Sequence, residues 1–256
     1  ARKLWHDLVT ERFSPTNPKS SMLRFHTQVA GVSLTAQQPI NNVARVTIQA
    51  LAAVCGGTQS LHTNSYDEAL GLPTEESATV ALRTQQIIAE ESGVASVVDP
   101  LGGSHLVEML TNTIYDEAKS KIEEIENMGG SLTATENGFQ QREIHEAAWA
   151  HLNQVESGER KIVGVNHGVL EEEEMPDLLT PDPDLWKKQT KKLENLREKR
   201  DNHKAKHSLE MIEKIAQSDE NLFPYVIDAL RNDCTLGEII NAMKKVFGTY
   251  MAPSGF

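Results

Sequence analysis

His26-Thr27-Gln28 and His62-Thr63-Asn64 repeat one pattern 36 residues apart: an imidazole, a threonine and a carboxamide, each closing a short apolar run. A carboxamide offers N–H donors and a carbonyl acceptor without changing charge. That suits it to orienting amide, ester and ribose groups rather than to moving protons. The imidazoles His26 and His62 could act as general acid or base, or serve as fixed hydrogen-bond posts. The densest run of directional polar groups is Gln59-Ser60-Leu61-His62-Thr63-Asn64-Ser65-Tyr66-Asp67-Glu68. In it Glu68, just ahead of the helix-like Ala69-Leu70, faces either a ligand or water.

A 36-residue step fits a strand of about five residues, a turn and a helix of about twelve, with loops. A third step lands near Asp99-Pro100-Leu101-Gly102-Gly103. Residues just past each strand of a (β/α) barrel line its reactive face, so the polar triplets become site candidates. The periodicity predicts a helix over 1–12, a strand over 22–25, and a helix capped by Asn41 and running to Val54. A strand over 60–63, a helix opened by Pro73-Thr74 and closed by Gly93, and a short third strand at Val97-Val98 follow. Long helices are expected over 106–128 and 132–155, and a strand over 161–165. Residues 171–183, with four consecutive glutamates and three prolines, read as a linker or wrapping arm. A highly charged helix over 183–214 and two smaller ones over 222–230 and 236–247 complete the pattern.

The expected fold class is α/β: the C-terminal part of a (β/α)8 barrel in residues 1–170, then a linker arm and mostly helical extension in 171–256. Three βα steps do not close an eight-stranded barrel. Open strand edges are normally paired or covered, so an upstream half barrel is the expected partner. Ala1, running straight into a helix-like stretch, reads as an internal boundary.

Bulk properties narrow the function classes. With 256 residues and 39% hydrophobic content the chain can bury a substantial core. Its short apolar runs and lack of a basic-then-apolar opening predict a soluble cytoplasmic protein with no membrane span. Cys55 and Cys234 lie far apart without ligand or redox spacing, which suits a reducing compartment. A net charge of −12, from 37 acidic against 25 basic residues, disfavours nucleic acid as a partner. His203 and His207 lack a third ligand, so no metal is expected. No phosphate-binding loop is present, and Trp5, Trp149 and Trp186 read as packing anchors.

Longer stretches carry a family resemblance. Arg24-Phe25-His26-Thr27-Gln28-Val29-Ala30-Gly31, Leu34-Thr35-Ala36-Gln37-Gln38-Pro39, Asn41-Asn42, Gly56-Gly57-Thr58-Gln59-Ser60-Leu61-His62-Thr63-Asn64, Asp67-Glu68-Ala69-Leu70 and Leu72-Pro73-Thr74-Glu75 closely resemble the large, substrate-binding subunit of adenosylcobalamin-dependent acyl-CoA mutases, the methylmalonyl-CoA mutase family. The likeness continues through Asp99-Pro100, Gly102-Gly103-Ser104, Met128-Gly129-Gly130, Val163-Gly164-Val165-Asn166 and Gly237-Glu238-Ile239. It implies a radical carbon-skeleton isomerisation of a short branched acyl-CoA, of the methylmalonyl-CoA/succinyl-CoA type, or isobutyryl-CoA or 2-hydroxyisobutyryl-CoA. By matching position, Gln28, Gly31, Asn64, Glu68 and Gly71 would face adenosylcobalamin, with Gln28 and Glu68 carrying the catalytic roles and Glu68 accepting ribose hydroxyls. Gln59 and Ser60 would lie near the acyl-CoA thioester or its CoA arm.

The resemblance also implies partners. An upstream half barrel would supply an aromatic residue, an arginine and a histidine around the acyl group. A separate cobalamin-binding small subunit, contacted by the acidic arm and the charged helices, would make a hetero-oligomer. The lower-ligand motif Asp-x-His-x-x-Gly is lacking: Asp201-Asn202-His203-Lys204-Ala205-Lys206 imitates its start inside a charged helix, with Lys206 where glycine is required. The ending Val246 to Phe256 resembles the terminus of two-subunit members. Two rivals stand beside this reading: a non-catalytic assembly subunit, and a barrel enzyme using His26 or His62 in ordinary acid–base catalysis.

Overall fold

A computed structural model describes residues 1–172 and 175–250. The chain divides into two compact units, Ala1–Leu179 and a second beginning at Thr180, against an expected division at Glu171. Glu173 and Glu174 of the acidic arm, and the ending from Met251 onward, lie outside the described residues.

The first unit runs α1 (Arg2–Phe13), β1 (His26–Gln28), α2 (Asn42–Cys55), β2 (Ser60–His62), α3 (Glu75–Glu90), α4 (His105–Asn127), α5 (Ser131–Glu136) and α6 (Phe139–Glu156). β1 and β2 pair in parallel with His26 opposite Ser60, Thr27 opposite Leu61 and Gln28 opposite His62. Two βα steps are thus realised at the predicted spacing. The α/β class stands at this level; among the described residues the sheet has two strands and no barrel is formed.

Thr74 opens α3 as its N-cap, its hydroxyl accepting from the Ser77 amide, and Glu75 and Glu76 lie favourably at the positive end of the helix dipole. Ser77, Ala81, Thr84 and Ile88 then face inward at helical spacing. α2 packs on α3 and on β2, and Val46 and Ala50 on it are buried, as is Leu34 ahead of it.

In the first unit four elements depart from expectation. The strand expected over 22–25 forms instead just after it, over His26–Gln28, so the polar triplet is itself the strand. Val97-Val98 is not a strand: a 3-10 turn over Val94–Ser96 precedes an extended Val97 at φ −128°, ψ 153°, and Val98 is 98% exposed. A parallel strand needs a neighbouring ladder, and the described residues offer none there. Residues 161–165 form a turn bearing one bridge, Val163 to His167, closed by Asn166, whose Oδ1 accepts from the Ile162 amide at 2.7 Å. The helix expected over 132–155 breaks at Asn137-Gly138, where Gly138 adopts φ 71°, a left-handed conformation that costs glycine nothing.

The second unit holds α7 (Leu185–Lys199), α8 (Asn202–Ile215), α9 (Phe223–Arg231) and α10 (Leu236–Phe247). The single charged helix expected over 183–214 is two, because the Asp201 carboxylate caps α8 by accepting from the His203 amide at 3.0 Å and the Lys204 amide at 3.1 Å. The imitation cobalt-ligand motif is therefore a helix cap, at a helix start rather than within one. Ala205, Ile212, Ala229, Cys234, Ile239 and Ala242 form the core of this unit. Arg200 is 8% exposed in its side chain and grips Glu238 with both terminal nitrogens at 2.7 Å. Glu238 also accepts from the Thr235 amide at 2.8 Å in a reciprocal capping box. No helix among the described residues is long and apolar enough to cross a membrane.

The Arg200 guanidinium, and next the Thr235 donors, hold the Glu238 carboxyl from an ordinary 4.5 down to about 2. A depressed acid contributes stability that is complete above its unfolded value and is lost as pH falls through its folded one. Glu238→Gln is therefore expected to cost about 2–3 kcal/mol at neutral pH. It should also flatten the fall in stability between pH 4.5 and 2, as read by urea denaturation followed by helical circular dichroism.

Candidate functional site

Side chains alternate across a strand, so β1 and β2 present one face made of His26, Gln28, Ser60 and His62, and another made of Thr27 and Leu61. The first four are exposed and the other two half-buried. The exposed face thus carries two imidazoles, a hydroxyl and a carboxamide, with no charged carboxylate or ammonium. Across it, His26 Nδ1 and Ser60 Oγ lie 2.7 Å apart. On the helix side Thr27 donates its hydroxyl to Thr58 Oγ1 at 2.8 Å, which fastens the strands from behind.

Where the strands end, two loops are tied together. Gln28 donates to Asn64 Oδ1 at 3.3 Å, and Asn64 donates in turn to the Val29 carbonyl at 2.7 Å. Asn64 is 3% exposed, so its carboxamide works within the protein and holds exposed Gln28 in position. Thr63 donates to the Ala81 carbonyl at 2.7 Å and accepts from Gln85 at 2.9 Å, seating the end of β2 on α3.

Gly31 and Glu68 meet. A Cβ built on Gly31 would lie 3.0 Å from Glu68 Cγ and 3.2 Å from its Oε1, while one on Gly71 would meet nothing within 4 Å. The exposed carboxylate therefore lies over a bare stretch of backbone, a cradle that a side chain would fill. Gln59 is engaged elsewhere: its Oε1 accepts from the Phe25 amide at 2.8 Å and its Nε2 donates to the Gly57 carbonyl at 2.8 Å. This staples the entries of the two strands. Ser60 remains on the exposed face, paired with His26.

The hub that fixes both loops escaped sequence reading. Asn42, fully buried, donates to the Thr35 carbonyl at 2.9 Å and the Tyr66 carbonyl at 2.8 Å, and accepts from the Thr35 amide at 3.2 Å and Arg45 at 2.8 Å. Asn41, expected to cap α2, instead donates to Gln38 Oε1 at 2.9 Å and makes no cap bond. The signal for Asn42 was its position one turn ahead of buried Val46, on the inward stripe of α2. A cleft of about 490 Å³ lined by Gln38, Ile40, Asn41, Tyr66, Leu170 and Met175 contains none of the expected site residues. No group of three or more metal-binding side chains occurs among the described residues.

The family model described as methylmalonyl-CoA mutase matches residues 1–249. The chain belongs to the methylmalonyl-CoA mutase family. Within that family it is 47% identical to a probable mitochondrial methylmalonyl-CoA mutase of Caenorhabditis elegans, over 98% of this chain and 34% of the relative. To the mitochondrial methylmalonyl-CoA mutase of Bos taurus it is 49% identical over the same shares. It is also 41% identical to the 2-hydroxyisobutanoyl-CoA mutase large subunit of Aquincola tertiaricarbonis, over 97% of this chain and 45% of that subunit. The chain thus spans about a third of the length of the curated methylmalonyl-CoA mutases it matches. The resemblance read from the motifs holds across the chain, and membership of the methylmalonyl-CoA mutase family is consistent with the α/β class.

Removing the Asn42 carboxamide leaves two carbonyls, of half-buried Thr35 and Tyr66, without that donor, at about 1–3 kcal/mol for each unpaired group. Asn42→Ala is accordingly expected to lose about 2–4 kcal/mol of stability in chemical denaturation. Gly71→Ala should change stability by less than about 0.5 kcal/mol, whereas Gly31→Ala should push the flexible Glu68 side chain aside at about 1 kcal/mol. The NMR shift of the Glu68 carboxyl checks that displacement.

Proposed function

We propose that this chain forms part of the cofactor- and substrate-facing wall of an adenosylcobalamin-dependent mutase, an intramolecular transferase that rearranges a short branched acyl-CoA of the methylmalonyl-CoA/succinyl-CoA type. The observation that carries this reading is the uncharged, exposed sheet face with one carboxylate at its edge, lying over bare Gly31. Such a surface can orient a nucleoside and a thioester but holds no strong acid for hydrolysis. When bound, adenosylcobalamin supplies an organic radical by homolysis of its cobalt–carbon bond, and the difficult chemistry is the cofactor's.

The residues of this chain bind and orient. Glu68 accepts hydrogen bonds from the ribose hydroxyls, a role supported by its exposure and by the cradle at Gly31. Gln28, braced by Asn64, turns its carboxamide to the same ligand, and Gly71 leaves room beside it. Ser60, paired with His26, lies on the face that receives the acyl thioester. Gln59 acts behind it by setting the spacing of the strand entries. Because the sheet face is open in this chain, exclusion of water from a reactive intermediate requires cover from outside it. The proposal therefore includes an upstream half barrel, a cobalamin-carrying domain or small subunit, and a hetero-oligomeric assembly. A cytoplasmic setting is supported by Cys55 and Cys234, both free thiols.

A second substrate reading, isobutyryl-CoA or 2-hydroxyisobutyryl-CoA, is favoured by the relative named as a 2-hydroxyisobutanoyl-CoA mutase large subunit, 45% of whose length this chain matches. Supplying the assembled enzyme with adenosylcobalamin and each of methylmalonyl-, isobutyryl- and 2-hydroxyisobutyryl-CoA, followed by product analysis, separates these. Omission of this chain should abolish turnover; undiminished activity without it would leave only an assembly role. Glu68→Gln is expected to lower kcat about 10- to 100-fold, or about 1.4–2.7 kcal/mol, with the KM for acyl-CoA nearly unchanged. Cobalamin-independent turnover with a bell-shaped pH profile would instead transfer catalysis to His26 or His62.

A further inference from the structure

Glu68 is exposed, yet the turn that carries it is closed by its buried neighbour. Asp67 is 1% exposed. Its main-chain carbonyl accepts from the Leu70 amide at 2.8 Å and the Gly71 amide at 3.1 Å. Its Oδ2 accepts from the Thr74 amide at 3.2 Å, the residue whose hydroxyl caps α3. On the other side, the Tyr66 carbonyl is held by Asn42 at 2.8 Å. The residue before Glu68 is thus moored to α3, and the one before that to α2. Glu68 follows directly after the two moorings, and its side chain lies against Gly31.

The other carboxylate oxygen, Oδ1, is buried and has no hydrogen-bond partner among the described residues. A buried acceptor left unbonded costs stability, and a carboxylate costs more than a neutral acceptor would. Local rules broken at such a cost are found at functional sites.

We propose that Asp67 is a positioning residue for the cofactor: by bonding the Thr74 amide and closing the turn through Gly71 it fixes the direction in which Glu68 meets the adenosyl ribose. This rests on the reading of Glu68 given above. The acceptor at Oδ2, rather than the charge, is what the geometry uses. Asp67→Asn therefore keeps function, and Asp67→Ala loses it.

The test is a titration of the assembled enzyme with adenosylcobalamin followed by the cofactor's visible absorbance, with the KM for acyl-CoA and the melting temperature measured alongside. Asp67→Ala is expected to raise the cofactor Kd at least tenfold while the acyl-CoA KM moves less than twofold, and Asp67→Asn to stay within about threefold of the parent Kd. Should Asp67→Ala not fold, Thr74→Pro removes the donor, at a φ of −76° that proline accepts, and Thr74→Ala, which loses only the cap hydroxyl, is its control: the same selective rise is expected in the proline variant and not in Thr74→Ala. A Kd within twofold of the parent in Asp67→Ala, or in its proline substitute, overturns the proposal. So does a joint rise of Kd and KM with a falling melting temperature. Glu68→Gln separates the two levels: an unchanged cofactor Kd there removes the cofactor reading itself. A raised Kd in Glu68→Gln with none in Asp67→Ala removes only the role of Asp67.

Discussion

Two three-residue parallel strands cannot hold the loops at their ends in register by their ladder alone. Strands of five or six residues are usual, and parallel pairs are ordinarily buried within larger sheets. Here the register is held by buried side chains that reach across to main chain: Asn64 to Val29, Asn42 to Thr35 and Tyr66, Thr63 to Ala81. Each such bond gives about 1 kcal/mol when made but costs about 1–3 kcal/mol when one partner is lost. The positions of Gln28 and Glu68 thus depend on a few carboxamides and a hydroxyl more than on the sheet. That dependence also explains why the polar triplets are rich in carboxamides: in each the third residue helps to join two loops.

Much of this architecture was legible because local signals sufficed. Gly56-Gly57, Pro73-Thr74 and Gly129-Gly130 delimit α2, α3 and α4, and the repeat of the two triplets located both strands within a few residues. What was not legible needed non-local information. Val97-Val98 has strand composition, but a ladder requires a neighbour, and sequence composition says nothing of one. Asp201 sits in so charged a run that its capping role was hidden, and one helix was read for two. Reading for reactive groups points to Gln28, Glu68, His26 and Ser60, all exposed, and passes over Asn42 and the bonding of Asp67, both buried. The resemblance puts Gln59 near the thioester or the CoA arm, and its sequence neighbours do not show that its carboxamide is held by main chain. The Phe25 amide that captures it lies 34 residues earlier in sequence.

The apolar surface of the first unit tells a consistent story. α4 runs for 23 residues without a buried one, and Leu106, Leu110 and Ile114, spaced four apart, are 61%, 46% and 63% exposed. Such a stripe belongs against another element. Val98 at the expected third strand is exposed in the same way, and the outer edges of β1 and β2 carry no ladder among the described residues. In a chain spanning a third of its relatives' length, these are the surfaces an upstream half barrel would cover, and they support that part of the proposal independently of any site residue.

Charge is distributed by task. In the second unit a near-buried guanidinium and carboxylate fasten a capping box, where the rigid fork of Arg200 and a fixed Glu238 give a strong bond whose strength varies with pH. The sheet face of the first unit avoids such pairs. On the proposed reading, a site that orients an ester and a nucleoside gains from carboxamides and hydroxyls, which keep their protonation over the working pH range, as the imidazoles of His26 and His62 do not. Glu68 is exposed and its carboxylate has no hydrogen-bond partner among the described residues, which suits the proposed role of accepting from hydroxyls. On that reading its direction is the variable left to control, and the groups available to control it are those of the bonded turn beside it, at Asp67, Leu70, Gly71 and Thr74, rather than any charge opposite it.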